Sequence, residues 1–97
     1  MRKSQGPLMA SWKLIYDKSC RRDEVKLIRA GLGAKIDALI NIIKDNPFAN
    51  PPSYEKLKGH TNLYSRRIDI KHRLEYEVNK TTKTVRVLRM WTHYGDN

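Results

Sequence analysis

The chain has 97 residues, enough for one domain, and 39% of them are hydrophobic, which suffices for a modest core if every element buries one face. Twenty Lys and Arg against ten Asp and Glu leave a net charge of +10, which points to a polyanionic partner: nucleic acid, an acidic protein, or both. The longest apolar run, Ala38 to Ile43, is interrupted by Asn41 and is far too short to span a membrane; the single cysteine, Cys20, excludes an internal disulfide and fits a reducing compartment.

Residues 1–10 read as a disordered N-terminal tail or a cloning remnant, because no apolar stretch follows Arg2 and Lys3 as a signal peptide requires. The single domain is then 11–97. Ser11 to Tyr16 has the β-branched and aromatic content of a short strand. Asp17 or Ser19 can cap the helix that follows over 18–30, where Val25, Ile28 and Leu32 recur at helical spacing. A lone cysteine on such a helix is a packing residue far more often than a nucleophile. Gly31 and Gly33 mark a break. A second helix, about Ala34 to Lys44, carries Ile36, Leu39, Ile40 and Ile43 as one apolar stripe and stops at Asp45-Asn46-Pro47. Asn46 to Asn62, with Pro47, Pro51, Pro52 and Gly59, reads as a loop long enough to suggest a function.

The remainder reads as strand. Leu63 to Tyr76 forms one strand, a tight turn around Ile70 to His72, and the start of a second strand running to Asn79. Alternation puts Tyr64, Arg66, Ile68 and Ile70 on one face and Leu63, Ser65, Arg67 and Asp69 on the other. With Ile68 and Leu74 turned to the core, Arg67 and Arg73 share the open face, where two guanidiniums suit a phosphate. A turn at Asn79 to Thr82 leads to a last strand, Thr84 to His93. Its parity slips between Val85 and Val87 on one side and Leu88 and Met90 on the other, so a bulge is expected near Leu88. The order is that of an α+β fold: two N-terminal helices packed on a twisted, mainly antiparallel sheet of about four to five strands.

No Gly-rich phosphate loop, nucleophile elbow or metal-spaced Cys/His cluster is present, and His60, His72 and His93 have no local ligand partner. A cofactor is not implied, and positive charge must come from Arg and Lys. Cutting RNA without a metal needs a base for the ribose 2′-hydroxyl, cations for the phosphorane, an acid for the departing 5′-oxygen, and a surface that holds a nucleobase. The chain offers Glu55 or His93 for proton transfer, Arg67 and Arg73 for charge, and Tyr94 or Trp91 for stacking. Taken alone, this inventory favours simple RNA binding over cleavage.

Several motifs in order change that weighting: WKLIY at the start, IKDNPF at the end of the second helix, YEKLKG in the loop, LYSRRIDIKHRLEYEV across the hairpin, and a terminal THY. Through them residues 12–94 resemble the YoeB (Txe/YoeB) toxins of bacterial toxin–antitoxin pairs, within the RelE-like superfamily. The resemblance implies a RelE-like fold and a metal-independent endoribonuclease that cuts mRNA codons in the ribosomal A site and is silenced by a cognate antitoxin. By motif, Glu55 falls at the family's general base, Arg67 and Arg73 at its phosphate-stabilising positions, His93 at the general acid, and Tyr94 beside it as an RNA-positioning residue. Arg66, His72, Lys56, Lys58 and Trp91 are supporting candidates for RNA contact. Two departures stand out: Gly95-Asp96-Asn97 extends past the His-Tyr pair, and Lys56 replaces a proline that commonly follows the loop glutamate.

The implied partners are an antitoxin with an acidic, partly disordered binding segment, the ribosome and mRNA, and a second copy of the chain. DNA would be met only through the antitoxin complex. The implied compartment is the bacterial cytoplasm. Two other readings stand beside this one. A non-catalytic RNA-binding module would use the arginines but have no need of Glu55 and His93. A DNA-binding regulator fits less well, because the basic residues are spread over strands rather than a recognition helix.

Overall fold

A computed structural model of the chain describes residues 11–92; the side chains of Trp91 and Thr92 fall outside that description. The tail expected over 1–10 therefore lies outside the described residues, as do His93 and Tyr94. In chain order the elements are β1 (Lys13–Tyr16), α1 (Lys18–Arg29), α2 (Gly33–Asp45), β2 (Glu55–Lys56), β3 (Leu63–Arg67), β4 (His72–Asn79) and β5 (Thr84–Thr92). The strands form one sheet in the order β1-β5-β4-β3-β2. Only β1 runs parallel to its neighbour, β5; the other pairings are antiparallel. This is the expected α+β arrangement. Among the described residues no helix is long and apolar enough to cross a membrane.

The core lies between the helices and one face of the sheet. Ile36, Leu39, Ile40 and Ile43 of α2 are buried, as their spacing predicted, and meet Leu74, Tyr76 and Val78 of β4 and Val85, Val87 and Met90 of β5 in one cluster. The parity slip in β5 is a bulge: Glu75 pairs with Arg89 but Tyr76 pairs with Val87, leaving Leu88 as the extra residue. That extra residue brings Met90 back to the core face beside Val87.

Helix α1 departs from expectation. Its stripe of Val25 and Ile28 is about half exposed, and the buried positions are Cys20 and Leu27. The ends of the helix set this rotation. The Asp17 N–H donates to Val87 O (2.8 Å), anchoring the start on β5, and the Asp17 carboxylate caps the helix by accepting from Ser19 N (3.2 Å). Asp23, between Cys20 and Leu27, accepts the Met90 N–H (3.2 Å). Positions 20, 23 and 27 therefore face the sheet, and a polar contact to the strand backbone overrides the more apolar stripe. The helix ends where expected: Gly31, at φ +89°, closes it, with Gly31 N–H donating to Ile28 O and Leu32 N–H to Leu27 O, both at 3.0 Å. Leu32 is thereby folded back into the core.

The β3–β4 connection is organised by Asp69. One of its oxygens, Oδ1, accepts from Lys71 N (2.9 Å) and His72 N (2.7 Å) and lies 2.9 Å from His72 Nδ1. An ionised carboxylate only accepts, so Nδ1 carries the proton. The turn begins earlier than the alternation implied. Ile68 is buried, but Ile70, expected on the same core face, is 78% exposed at the tip, because the strand ends at Arg67.

Burial pushes the Cys20 thiol up to about 12, with Asp23 and Glu24 adding to the shift. The native thiol should resist a disulfide reagent at pH 8, and one equivalent should react in denaturant. Because the unfolded thiol ionises first, stability should fall as pH rises above about 9 and continue to fall toward about 12. For Asp69, desolvation raises the pKa, but the His72 side-chain bond and the two backbone N–H bonds outweigh it and hold the carboxyl below its ordinary value of 3.8. Its stabilisation is present above that pH and is lost as pH falls through the folded value. Asp69→Ala should cost about 1–2 kcal/mol in denaturant unfolding at pH 7, with the difference from the parent shrinking in acid below the ordinary carboxylate range.

Candidate active site

The face of the sheet away from the helices holds the predicted cations. The β3–β4 register sets Arg67 directly opposite Arg73 and Ser65 opposite Glu75. Glu55, expected in a loop, belongs instead to the two-residue strand β2, where it pairs with Ser65. Paired residues share a face, so Glu55, Ser65, Arg67 and Arg73 come to one side of the sheet, as the alternation of β3 and β4 required. With Pro52, Ser53 and Tyr54 they line an open cleft of about 170 Å³.

The contacts within the cleft are specific. Arg73 Nη1 donates to Ser65 Oγ (2.9 Å) and to Glu55 Oε1 (3.2 Å). The Arg73 side chain is only 11% exposed, whereas Glu55 is 68% exposed, so the carboxylate stands at the mouth over a mostly covered guanidinium. Arg67 is exposed and donates from Nη1 to Ile70 O (3.3 Å), which turns it along the rim. Like charges set directly opposite in a sheet are destabilising. A facing Arg pair is relieved when an anion enters between its members. Ser65, which the sequence reading did not single out, is 1% exposed and fixes Arg73 from below. Its parity with Arg67 was the available signal.

Beside the cleft, Glu75 is bonded by Arg89 Nε (3.1 Å). Trp91 pairs with Arg73 and Thr92 with His72, so β5 passes the cleft in its last residues. His93 and Tyr94 follow Thr92 in the chain, outside the described residues.

Four of the supporting positions lie elsewhere. Arg66 was a candidate for RNA contact, but it is 1% exposed on the core side of β3. Its Nε donates to Tyr76 Oη (2.9 Å), Nη1 to Pro52 O (2.6 Å), and Nη2 to Pro47 O and Ala49 O (both 2.9 Å). Its planar group also lies 5.0 Å from the Tyr54 ring centroid and 5.9 Å from that of Tyr76. Four of its five N–H groups are bonded within the core side of the sheet, and the side chain is too buried to reach RNA. The physical reason is the alternation itself: a residue between Ser65 and Arg67 must point the other way. His72 is tied to Asp69 in the hairpin turn. Lys56 pairs with Tyr64 and lines a separate cavity with Phe48, Asn79 and Lys80. Lys58 is exposed in the turn after β2. Among the described residues no group of three His, Cys, Asp or Glu side chains is placed to hold a metal ion.

Comparison with known proteins matches this arrangement to a family. The model of the YoeB-like toxin of bacterial type II toxin-antitoxin systems matches residues 25–94. The solved YoeB/ParE toxin from Agrobacterium tumefaciens is 34% identical, with a TM-score of 0.74 over 84% of this chain and 99% of that one. The YoeB dimer from Staphylococcus aureus is 26% identical, with a TM-score of 0.71 over 88% of this chain and 100% of that one. Free E. coli RelE, in a doubly substituted form, is 17% identical, with a TM-score of 0.70 over 89% of this chain and 87% of that one, and shares the fold. No curated protein sequence matches the chain. The family match over most of the domain, with a YoeB/ParE toxin 34% identical across it, makes the chain a member of the YoeB-like toxins of bacterial type II toxin–antitoxin systems.

Proposed function

We propose that the chain is a ribosome-dependent endoribonuclease that cuts mRNA codons in the A site without a metal ion and so inhibits translation. The observation that carries this reading is the meeting of Glu55, Arg67 and Arg73 in one cleft, with Arg67 and Arg73 directly opposite each other. A binding surface needs the cations. It gains nothing from a carboxylate bonded to one of them, which weakens the attraction for phosphate. A carboxylate at the mouth of an arginine-lined cleft is suited to proton transfer beside a phosphate.

In the proposed reaction Glu55 takes the proton from the ribose 2′-hydroxyl. The 2′-oxygen attacks the adjacent phosphorus, and the P–O5′ bond breaks. Arg67 and Arg73 neutralise the charge that builds on the non-bridging oxygens. His93 protonates the departing O5′, giving a 2′,3′-cyclic phosphate and a 5′-hydroxyl. Tyr94 and Trp91 position the RNA, and Lys58 meets its backbone. A net charge of +10 suits both rRNA and an antitoxin segment of acidic character that orders as it covers the cleft. The relatives support the assembly: a YoeB-YefM complex and a YoeB dimer are both known from Staphylococcus aureus. For this chain a cognate antitoxin, a second copy and a bacterial cytoplasmic setting are proposals on the same basis, with DNA reached through the antitoxin complex.

The test is cleavage of mRNA on translating ribosomes, with cut positions mapped. Wild type should give codon-phased cuts. Arg73→Ala and His93→Ala should each lower the rate by about 100-fold or more while leaving the thermal unfolding transition cooperative. Ribosome binding with no cuts from wild type would instead identify a non-catalytic RNA-binding module. Unfolding of Arg73→Ala would mean that a structural position has been taken for a site.

A further inference from the structure

Among the described residues the most unusual charge is not in the cleft but directly behind it. Arg66 is one of the largest fully buried side chains, and among the described residues no carboxylate pairs with it. A buried guanidinium without a counter-ion is costly unless its donors are satisfied. Here three of its acceptors are main-chain carbonyls of one segment, those of Pro47, Ala49 and Pro52, and the fourth is the Tyr76 hydroxyl. Tyr76 Oη in turn donates to Pro47 O (2.8 Å), so two side chains from neighbouring strands grip the same carbonyl. The Tyr54 ring stacks over the guanidinium from the far end of that segment.

That segment leads into the cleft. Pro52, Ser53 and Tyr54 form its wall, and Glu55 follows at once. Three consecutive residues of β3 thus act on the site from two sides: Ser65 and Arg67 from the front, Arg66 by holding the wall from behind. We infer that Arg66, with Tyr76, is a positioning residue for Glu55, fixing the 47–54 segment so that the carboxylate meets Arg73 and the RNA at a set distance. This rests on the endonuclease reading of the cleft. The residue does not touch substrate; it acts through backbone carbonyls. A fold anchor alone would need no such concentration on one segment, since the β3–β4 pairing and the apolar core already hold Arg66's own strand.

The experiment uses the full chain. Tyr76→Phe keeps the ring and removes the hydroxyl that both accepts from Arg66 and donates to Pro47; Arg66→Lys keeps the charge but cannot reach four acceptors. Single-turnover cleavage is measured against ribosome concentration. The expected result is a rate at saturation about 10- to 100-fold lower, as for a small misplacement of a reacting group, with half-saturation unchanged. In a Glu55→Gln background the same substitutions should cost little further, because residues that act as a unit are not additive. Hydrogen exchange should quicken over residues 47–57 and stay unchanged over α2 and β4. An unaltered rate, a loss that appears as weaker ribosome binding, full additivity with Glu55→Gln, or global unfolding of both variants would each overturn the inference. If wild type cuts nothing, the endonuclease reading fails separately, and unchanged exchange over 47–57 would still overturn the positioning role.

Discussion

A guanidinium taken out of water has five N–H groups that need oxygen, and Arg66 directs three of them to the backbone of a single loop and a fourth to the Tyr76 hydroxyl. Much of the site's geometry depends on that constraint. The loop carries three of the chain's prolines, Pro47, Pro51 and Pro52, which donate no backbone N–H and cannot build a regular ladder of their own. Its carbonyls therefore turn inward to a donor supplied by the sheet. Once they are fixed, the chain emerges as β2 at the sheet edge, with Glu55 on the open face and Lys56 on the other. The aromatic rings of Phe48, Tyr54, Tyr64 and Tyr76 pack around the same point at centroid distances of 5.3–6.1 Å. Burial also raises the pKa of the Tyr76 phenol, against the lowering influence of Arg66, so the hydroxyl stays protonated and able to donate.

The open face is organised by the opposite problem. There the cations are crowded together, and each is steadied by a neighbour on the sheet or its turn. Arg73 rests on Ser65 and Glu55, Arg89 on Glu75, and Arg67 on the Ile70 carbonyl. These contacts hold the guanidiniums in place, and Arg67 and Arg73 against the single Glu55 leave the cleft net positive. A preorganised pair of this kind loses little freedom when a phosphate arrives, which is how electrostatic stabilisation becomes effective in a site partly closed to water. The hairpin turn contributes rigidity at the same end, since Asp69 fastens both Lys71 and His72 just before Arg73.

Much of this was legible in the residues. The α2 stripe, the Gly31 break, the bulge at Leu88 and the common face of Arg67 and Arg73 all follow from periodicity, and all are present. The failures have specific physical causes. The rotation of α1 differs from the one its pattern predicts: apolarity favours Val25 and Ile28, whereas Asp23 is held by a strand N–H that no side-chain pattern announces. Glu55 reads as a loop residue because two residues of strand are too few to show alternation. Arg66 was placed on the core face correctly but still grouped with RNA-contacting residues. Three of its four acceptors are backbone carbonyls, which every residue has and which leave no mark in the sequence. His93 and Tyr94, candidates from the residue inventory and from the terminal motif, fall outside the described residues.

The central claim is that the cleft performs acid–base transfer to a ribose hydroxyl, and the ends of the cut RNA report on it most directly. Messenger RNA cut on purified translating ribosomes would be examined for its terminal groups. A 2′,3′-cyclic phosphate on the upstream fragment and a 5′-hydroxyl on the downstream one is the predicted result, because the attacking oxygen comes from the RNA itself. A 3′-hydroxyl facing a 5′-phosphate would mean that water is the nucleophile, and the roles given to Glu55, Arg67 and Arg73 would be wrong.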